Sequence, residues 1–363
     1  MRIFAVIVLL ICPHAWGMDL KLPSFEDVVA APGDRIVLRV GGVPITTNAI
    51  IIGKNYGDLV QLIRTRDAGK RSGNWSNENE QSFRDYWDII VRRSAAMAVR
   101  DELLFSLAQK SNLVAFPSIV EKTTEDRLSR LGGEKALKER GLTVVDLKKE
   151  VERDLLIETV ARTQMPPVTP PGPEEVRRFY KEHISEFTLK GTGYRLRMIV
   201  LPLKTSDGQD NMPAAEKLAE DVKGGADFAN LAAKNSIHPT RAYGGLILRN
   251  VRSGFPIDVI EAEDVPGPVR DHLPSLEEGK VYGPVTIEGR LYIFMLLKRF
   301  APGEILFDEM APYITDHLRS KAEEIVQYDW LKRLAERSGV STPDGKSVPI
   351  KDIFGPAPGA EKK

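Results

Sequence analysis

The sequence contains almost no cysteine. Its 363 residues include one, Cys12, which lies close to the N-terminus. If the chain is cut after Gly17, the mature protein has no cysteine at all. This excludes a disulfide framework, thiol catalysis and thiolate metal sites from the mature chain, and it suits an oxidising compartment in which no disulfides are used.

Long hydrophobic runs are also scarce. An apolar run from Phe4 to Cys12 follows Arg2 and precedes the small residues around Gly17. It is far shorter than the ~18–20 apolar residues that a membrane-spanning helix needs. A basic start, a short apolar core and small residues at a cut site are typical of a secretory signal peptide. We therefore predict that residues 1–17 are a signal peptide and that the mature chain begins near Met18.

Two other interpretations of this segment remain open, a membrane anchor and a buried N-terminal strand. Lipid attachment at Cys12 is disfavoured, because a lipidated cysteine follows a small residue and here Ile11 precedes it. No later stretch is apolar enough to span a membrane, so we expect no membrane insertion once the leader is removed.

An excess of charge of one sign is missing as well. Lysine plus arginine equals aspartate plus glutamate, at 51 each, so the chain offers no broad attraction to nucleic acid or to an anionic membrane. The five histidines have no metal-ligand spacing. Neither a phosphate-cradling glycine loop nor a serine nucleophile elbow occurs. We expect no metal, no cofactor and no nucleic-acid partner.

Apolar periodicity predicts a helical N-terminal region. With 42% hydrophobic residues the chain can bury more than one core. Between Phe83 and Leu107 the apolar residues recur at steps of three, four and seven, which places them on one face of a long helix. Further helices are predicted over 119–131 and 147–163. Five prolines between Pro166 and Pro173 forbid a continuing helix and mark a domain boundary.

The pattern beyond this boundary is mixed. Segments 194–201 and 282–300 alternate as strands do, and 214–235 has helical periodicity. Residues 307–339 predict a long amphipathic helix that ends at Gly339. Its apolar stripe needs a partner, and we expect the N-terminal helices to provide it.

Four segments together resemble the SurA-like and PrsA-like family of exported folding factors. They are RVGGVPIT at 39–46, PEEVRRFY at 173–180, GADFANLA at 225–232 with Gly244-Gly245 downstream, and Leu276 to Gly279 followed by Gly283-Pro284-Val285. The resemblance implies an α+β fold. In it, helices from both ends of the chain form a chaperone module, and a parvulin-type peptidyl-prolyl isomerase (PPIase) domain is inserted between them.

The resemblance and the residue patterns together give a predicted domain order. It consists of a signal peptide (1–17), an N-terminal helical chaperone region (18–170), a connecting helix (174–189), a parvulin-like PPIase domain (190–300), a C-terminal helix that completes the chaperone module (303–345) and a disordered tail (346–363).

The resemblance also identifies where an isomerase site would lie. Rotation about an X–Pro bond faces a barrier of ~20 kcal/mol, and a catalyst must favour the twisted amide over the planar one. Parvulins use two histidines, a nearby cysteine or aspartate and an apolar proline pocket. When the parvulin site is transferred residue by residue onto this sequence, the two histidine positions are occupied by Met198 and Tyr292. The Cys/Asp position is occupied by His238. The proline-pocket positions are Ile247, Val265 and Val269.

These replacements predict a degenerate isomerase site. The methionine thioether is at best a weak acceptor, so Met198 cannot continue a histidine network. A lone loop histidine beside a proline, such as His238, is usually a polar turn residue. We therefore assign no catalytic role to the residues at these positions.

The resulting functional hypothesis is an ATP-independent chaperone in the periplasm or extracytoplasmic envelope. Its partners would be unfolded or nascent exported polypeptides, including outer-membrane proteins. One alternative is an active parvulin-type isomerase that assists protein folding. Another is an assembly partner that docks one specific protein, which only the breadth of binding would distinguish from a general chaperone.

Overall fold

The computed structural model describes residues 22–30, 33–53, 55–139, 141–205, 207–265 and 267–358. The predicted signal peptide, residues 1–17, lies outside the described residues. The chain divides into two compact units. The first combines the residues up to Val168 with those from Lys321 onward, and the second is Thr169–Ser320. Within the described ranges, no helix is both long and apolar enough to cross a membrane.

Helices and strands occur in both units, so the α+β prediction is confirmed. The helices are α1 Phe25–Ala30, α2 Thr47–Ile51, α3 Tyr56–Arg71, α4 Asn77–Lys110, α5 Pro117–Arg130, α6 Gly133–Glu139, α7 Val144–Gln164, α8 Pro173–Glu182, α9 Met212–Lys223, α10 Phe228–Asn235, α11 Gly267–Arg270, α12 Phe307–Ser338 and α13 Lys351–Phe354. The strands are β1 Ile36–Val40, β2 Val43–Thr46, β3 Thr188–Leu189, β4 Gly193–Pro202, β5 Arg249–Asn250, β6 Pro256–Ile257, β7 Ile260–Glu261, β8 Val281–Ile287, β9 Arg290–Phe300, β10 Gly303–Glu304 and β11 Val340–Ser341.

Side-chain caps define where the main N-terminal helices begin. The Ser76 hydroxyl accepts the N–H of Asn79 at the start of α4. At the start of α7, Thr143 and Asp146 form a reciprocal capping box. Each cap satisfies first-turn N–H groups that have no partner within the helix. The long helix predicted from the apolar spacing is confirmed as α4.

The core of the first unit combines both ends of the chain. Phe83, Trp87 and Val91 on α4 are buried in one cluster with Leu331 of α12 and Phe354 of α13. A three-stranded sheet in the order β11-β1-β2 completes the unit. The apolar face of α4 is therefore covered partly by residues that follow the inserted second unit in the chain.

The prediction of a disordered tail over 346–363 is wrong for its described part. Val348, Ile353 and Phe354 are each less than a tenth exposed and belong to the first unit's core. The prediction rested on the proline, glycine and lysine content of this segment. It gave too little weight to a few apolar residues, each of which stabilises the fold when buried.

The side chain of Glu80, in the first turn of α4, links this helix to α3. The Glu80 carboxylate accepts hydrogen bonds from Arg66 and from Trp75 Nε1, the latter at 2.7 Å, and it pairs with Lys70 at 3.0 Å. The hydrogen bond from Arg66 contributes most to lowering the pKa of Glu80 from 4.5 to about 2. The folded state therefore favours the charged form of Glu80.

Acid should weaken this attachment. Because the folded pKa is lowered, Glu80 contributes stability above pH 4.5 and loses it as the pH falls towards about 2. The side chain is 23% exposed. Allowing for solvent screening, we expect Glu80→Gln to lower the free energy of unfolding by about 1–2 kcal/mol at pH 7. The difference from wild type should shrink below pH 4.5 in urea denaturation series. The exposed neighbour Glu78 provides the matched Glu78→Gln control, and a pH-independent difference at position 80 would contradict this account.

The second unit is built on a four-stranded sheet in the order β7-β4-β9-β8. Strands β4 and β9 are antiparallel along their length, with Met198 opposite Phe294 and Val200 opposite Tyr292. Alternate residues point to opposite faces. Ile199 and Ile293 pack towards α9 and α10 on one face, and the Met198–Phe294 pair lies on the other.

A second cluster in this unit is formed around the β5–β6 hairpin. Phe255, between its strands, is buried with Val176 of α8, Phe187, and Met310 and Ile314 of α12. The first part of α12 therefore belongs to the core of the second unit, and the division between units falls inside this helix, at residue 320. The predicted chaperone module had instead included the whole of 303–345, with the helix packed only on the N-terminal helices.

Candidate functional site: an apolar sheet face beside His238

The two positions aligned with parvulin histidines lie on the same face of the β4–β9 pair. Met198 is opposite Phe294, and Tyr292 is opposite Val200, so Met198 and Tyr292 are diagonal neighbours across the two strands. Met198 is 7% exposed. The half-buried Tyr292 ring stacks on Phe294 with centroids 5.8 Å apart.

The positions aligned with the proline pocket join the same cluster. Val265 and Val269 are buried in the cluster, and the half-buried Ile247 packs against it. The Ile247 N–H donates to the Leu196 carbonyl at 3.0 Å, which holds the loop against β4. The structure thus brings Met198, Tyr292, Ile247, Val265 and Val269 together on one apolar face.

The Gly244-Gly245 pair explains how this loop approaches the sheet. Gly245 has φ +83, and its carbonyl accepts the Met198 N–H at 2.8 Å. A Cβ at Gly245 would lie only 2.5 Å from the Met198 oxygen, so a side chain cannot fit there. The glycine pair that contributed to the family resemblance is needed to place Ile247.

His238 lies beside this face but outside the apolar cluster. Its backbone follows Ile237, whose N–H donates to the Val200 carbonyl at 2.9 Å, and Val200 is the strand partner of Tyr292. The Nδ1 atom of His238 accepts the Thr240 N–H at 3.3 Å and lies 3.0 Å from Thr240 Oγ1. Burial, followed by the charge of Arg290, lowers the pKa of His238.

The second unit also contains a cluster of charged side chains that the sequence analysis did not identify. Arg195 Nε lies 2.7 Å from Asp258 Oδ2, and Arg195 Nη2 lies 3.1 Å from Glu309 Oε2. Glu309 also pairs with Lys298, which contributes most to lowering the pKa of Glu309. Burial, then the contact with Asp258, raises the pKa of Tyr313. The residues of this cluster lie far apart in the sequence, so no sequence motif indicated that they would meet.

This charged cluster lines a cavity of 330 Å³ together with Arg197, Leu246 and Pro312. Arg195 and Arg197 alternate on β4 with the residues of the apolar cluster, so the cavity is not part of the Met198–Tyr292 face. Within the described ranges, no three His, Cys, Asp or Glu side chains are grouped as a metal site requires.

Comparison with known families gives a match within the second unit. The sequence model of the PPIC-type PPIase domain matches residues 171–312, which include the sheet, the apolar face and His238. A solved structure of PrsA from Bacillus subtilis aligns with 70% of this chain and 86% of that one, at 15% identity and a TM-score of 0.36. That score is too low to bear on function.

Curated relatives include SurA chaperones. Chaperone SurA of Pseudomonas aeruginosa is 26% identical over 206 residues, covering 56% of this chain and 46% of the relative. Chaperone SurA of a Polaromonas species is 23% identical over 346 residues, covering 88% of this chain and 66% of the relative. The chain spans about half the length of the first of these relatives. The chain is similar to SurA chaperones, and its residues 171–312 match the PPIC-type, or parvulin-type, PPIase domain.

Proposed function

We propose that this protein is an ATP-independent chaperone of the bacterial envelope that binds unfolded secreted or outer-membrane proteins. In this proposal the parvulin-type domain is a peptide-binding surface with little isomerase activity. The observation that carries it is the apolar Met198–Tyr292 face at the positions aligned with parvulin histidines. The SurA chaperone relatives support the chaperone part of the proposal.

The physical argument separates binding from catalysis. A proline ring or an aromatic side chain gains free energy when it leaves water for the exposed parts of Ile247 and Tyr292, the half-buried apolar side chains of this cluster. Faster rotation needs more than this, because polar groups must be preorganised for the twisted amide. Met198 offers only a weakly accepting thioether, and Tyr292 a single hydroxyl. Binding without efficient isomerisation is the expected result.

Isomerase activity can be tested directly. We expect the intact mature protein to accelerate X–Pro exchange in a capped tetrapeptide about 100-fold less than a PPIC-type domain that retains both histidines. Exchange NMR spectroscopy measures the rate without a coupling protease. Activity equal to that of the comparison domain would favour the second candidate, an active isomerase, for which the family match is the supporting observation.

Chaperone activity is tested separately. A urea-unfolded outer-membrane protein is diluted into buffer with an equimolar amount of this protein, and light scattering follows aggregation. We expect scattering to be suppressed without ATP. An equal mass of an unrelated globular protein is the control, and equal scattering in both samples would contradict the proposal.

Export is a further part of the proposal. The basic, apolar and small-residue pattern of residues 1–17 supports a cleaved leader, and the family resemblance supports an envelope location. We expect N-terminal sequencing of the protein from the envelope fraction to begin at or near Met18. Retention of residues 1–17 in a membrane pellet would instead identify an anchor.

A further inference from the structure

The 330 Å³ cavity of the second unit is lined by two unpaired groups of opposite charge. Arg197 of β4 is half-buried, and its Nη1 atom donates to the Gly244 carbonyl at 2.6 Å. Among the described residues, no carboxylate forms an ion pair with it. Asp308, in the first turn of α12, is exposed and also has no ion pair within the described ranges. The two charges therefore line one cavity without contacting each other.

The same cavity has a buried acceptor that lacks a donor. Asp258 is 4% exposed, and its Oδ1 atom has no hydrogen-bond partner in the described part of the chain. Arg195 pairs with the other oxygen, Oδ2, and Tyr313 lies close to the carboxylate without bonding to Oδ1. A buried carboxylate oxygen without a donor is costly. A ligand that supplies an N–H to this atom would remove that cost.

A proline inside α12 makes a further acceptor available. Pro312 has no N–H, so the Asp308 carbonyl, four residues earlier, lacks its usual helical donor. Both residues line the cavity. Together with the carboxylates of Asp308 and Asp258, this carbonyl gives the cavity several acceptors. An ammonium group, which has three N–H donors, matches them.

The mixture of charges disfavours ligands that carry only one sign. A lone anion beside Arg197 would meet the carboxylates of Asp308 and Glu309, and a lone cation would meet Arg195 and Arg197. A metal ion is not supported, because no described group of three His, Cys, Asp or Glu side chains could hold one. A ligand that carries both charges a few atoms apart can pair with both signs.

We propose that this cavity binds a free α-amino acid with an aliphatic side chain. The ligand's carboxylate pairs with Arg197, and its ammonium group donates to Asp308 and then to the deeper Asp258 Oδ1. The half-buried Leu246 and Leu297 contact its aliphatic side chain. The volume of 330 Å³ lies at the lower end of the range of small-molecule pockets, about 300–1,000 Å³, which fits one amino acid. This site does not depend on the proposed chaperone function.

Three ligands of similar size test which groups are recognised. L-leucine is titrated into the full mature chain, and binding is followed by NMR spectroscopy. L-leucinamide keeps the ammonium group but lacks the carboxylate, and N-acetyl-L-leucine keeps the carboxylate but lacks the ammonium group. We expect leucine to bind and each analogue to bind at least about 10-fold more weakly, because each loses charge-assisted hydrogen bonds.

Two substitutions locate the site. Arg197→Met and Asp308→Asn should each weaken leucine binding at least about 10-fold. Because Asp308 is exposed, Asp308→Asn should leave Tm unchanged, and it tests the site even if Arg197→Met does not fold. Asp316→Asn is the matched control. Asp316 lies on the same helix, its side chain is 68% exposed, and it does not line the cavity, so this variant should bind leucine as wild type does.

Several results would overturn the inference. If wild type does not bind leucine, the amino-acid site is rejected while the proposed chaperone function stands. If leucinamide binds as tightly as leucine, the carboxylate is not recognised and the site is not one for an amino acid. Unchanged binding in Asp308→Asn would reject the assigned position. Equal losses in Asp308→Asn and Asp316→Asn would also reject it, because the effect would not be local to the cavity.

Discussion

Trp87→Ala is expected to lower the free energy of unfolding by about 3–5 kcal/mol. Trp87 is 2% exposed at the centre of the first unit's core. Its ring meets Phe25 edge-on with centroids 5.2 Å apart, and its Nε1 donates to the Pro23 carbonyl at 3.1 Å. Truncation removes a large buried area, leaves a cavity and deprives a buried carbonyl of its partner. Urea denaturation followed by far-ultraviolet circular dichroism measures the loss.

The adjacent residue provides the control for this experiment. Tyr86 lies on the same helix but is 60% exposed, so Tyr86→Ala should change the free energy of unfolding by no more than about 0.5 kcal/mol. Trp87→Phe should give an intermediate loss, because most of the apolar area remains but the hydrogen bond to Pro23 does not. Equal small losses at positions 86 and 87 would mean that the core is not organised around Trp87.

Arg195→Met should destabilise the second unit by about 3–5 kcal/mol, although it keeps most of the side-chain volume. Asp258 is 4% exposed and is paired through Oδ2 with Arg195. Without the guanidinium, the buried Asp258 carboxylate loses the cation that pairs with it, which is costly in a medium of low dielectric constant. Glu309 loses less, because Lys298 still pairs with it.

A double variant tests this explanation. Arg195→Met combined with Asp258→Asn removes both charges, and it should recover a large part of the stability that Arg195→Met loses. The control is Arg319→Met, in which the same substitution is made at a pair that is 51% exposed on the arginine side. Its expected effect is no more than about 1 kcal/mol. If the double variant is less stable than Arg195→Met, the uncompensated charge is not the cause.

Local patterns in the sequence predicted much of the secondary structure. The apolar spacing around Trp87 predicted α4, and the amphipathic stripe before Gly339 predicted α12. The Gly244-Gly245 pair was recognised as part of a family motif, and the structure gives its steric reason at Gly245. Each of these features could be recognised from residues close together in the chain.

Several features that depend on distant residues were not predicted. Arg195, Asp258 and Glu309 meet only because the sheet and α12 bring together strands and turns that are more than fifty residues apart in the chain. The burial of Phe354 likewise depends on α4, which lies far earlier in the sequence. Composition cannot report such contacts, because the same residue types at the surface would give the same pattern. The apolar face was located only through the family resemblance, and its functional role stays a prediction.

The residues that form the core of the first unit are synthesised at different times. Synthesis proceeds from the N-terminus, so α4 emerges long before Leu331 and Phe354, its partners in the core. The whole of Thr169–Ser320 lies between them and is complete before Lys321 appears. The second unit can therefore fold first, while the apolar face of α4 stays partly uncovered until Leu331 and Phe354 have been synthesised. During this interval the newborn protein itself presents the kind of exposed apolar surface that a chaperone binds.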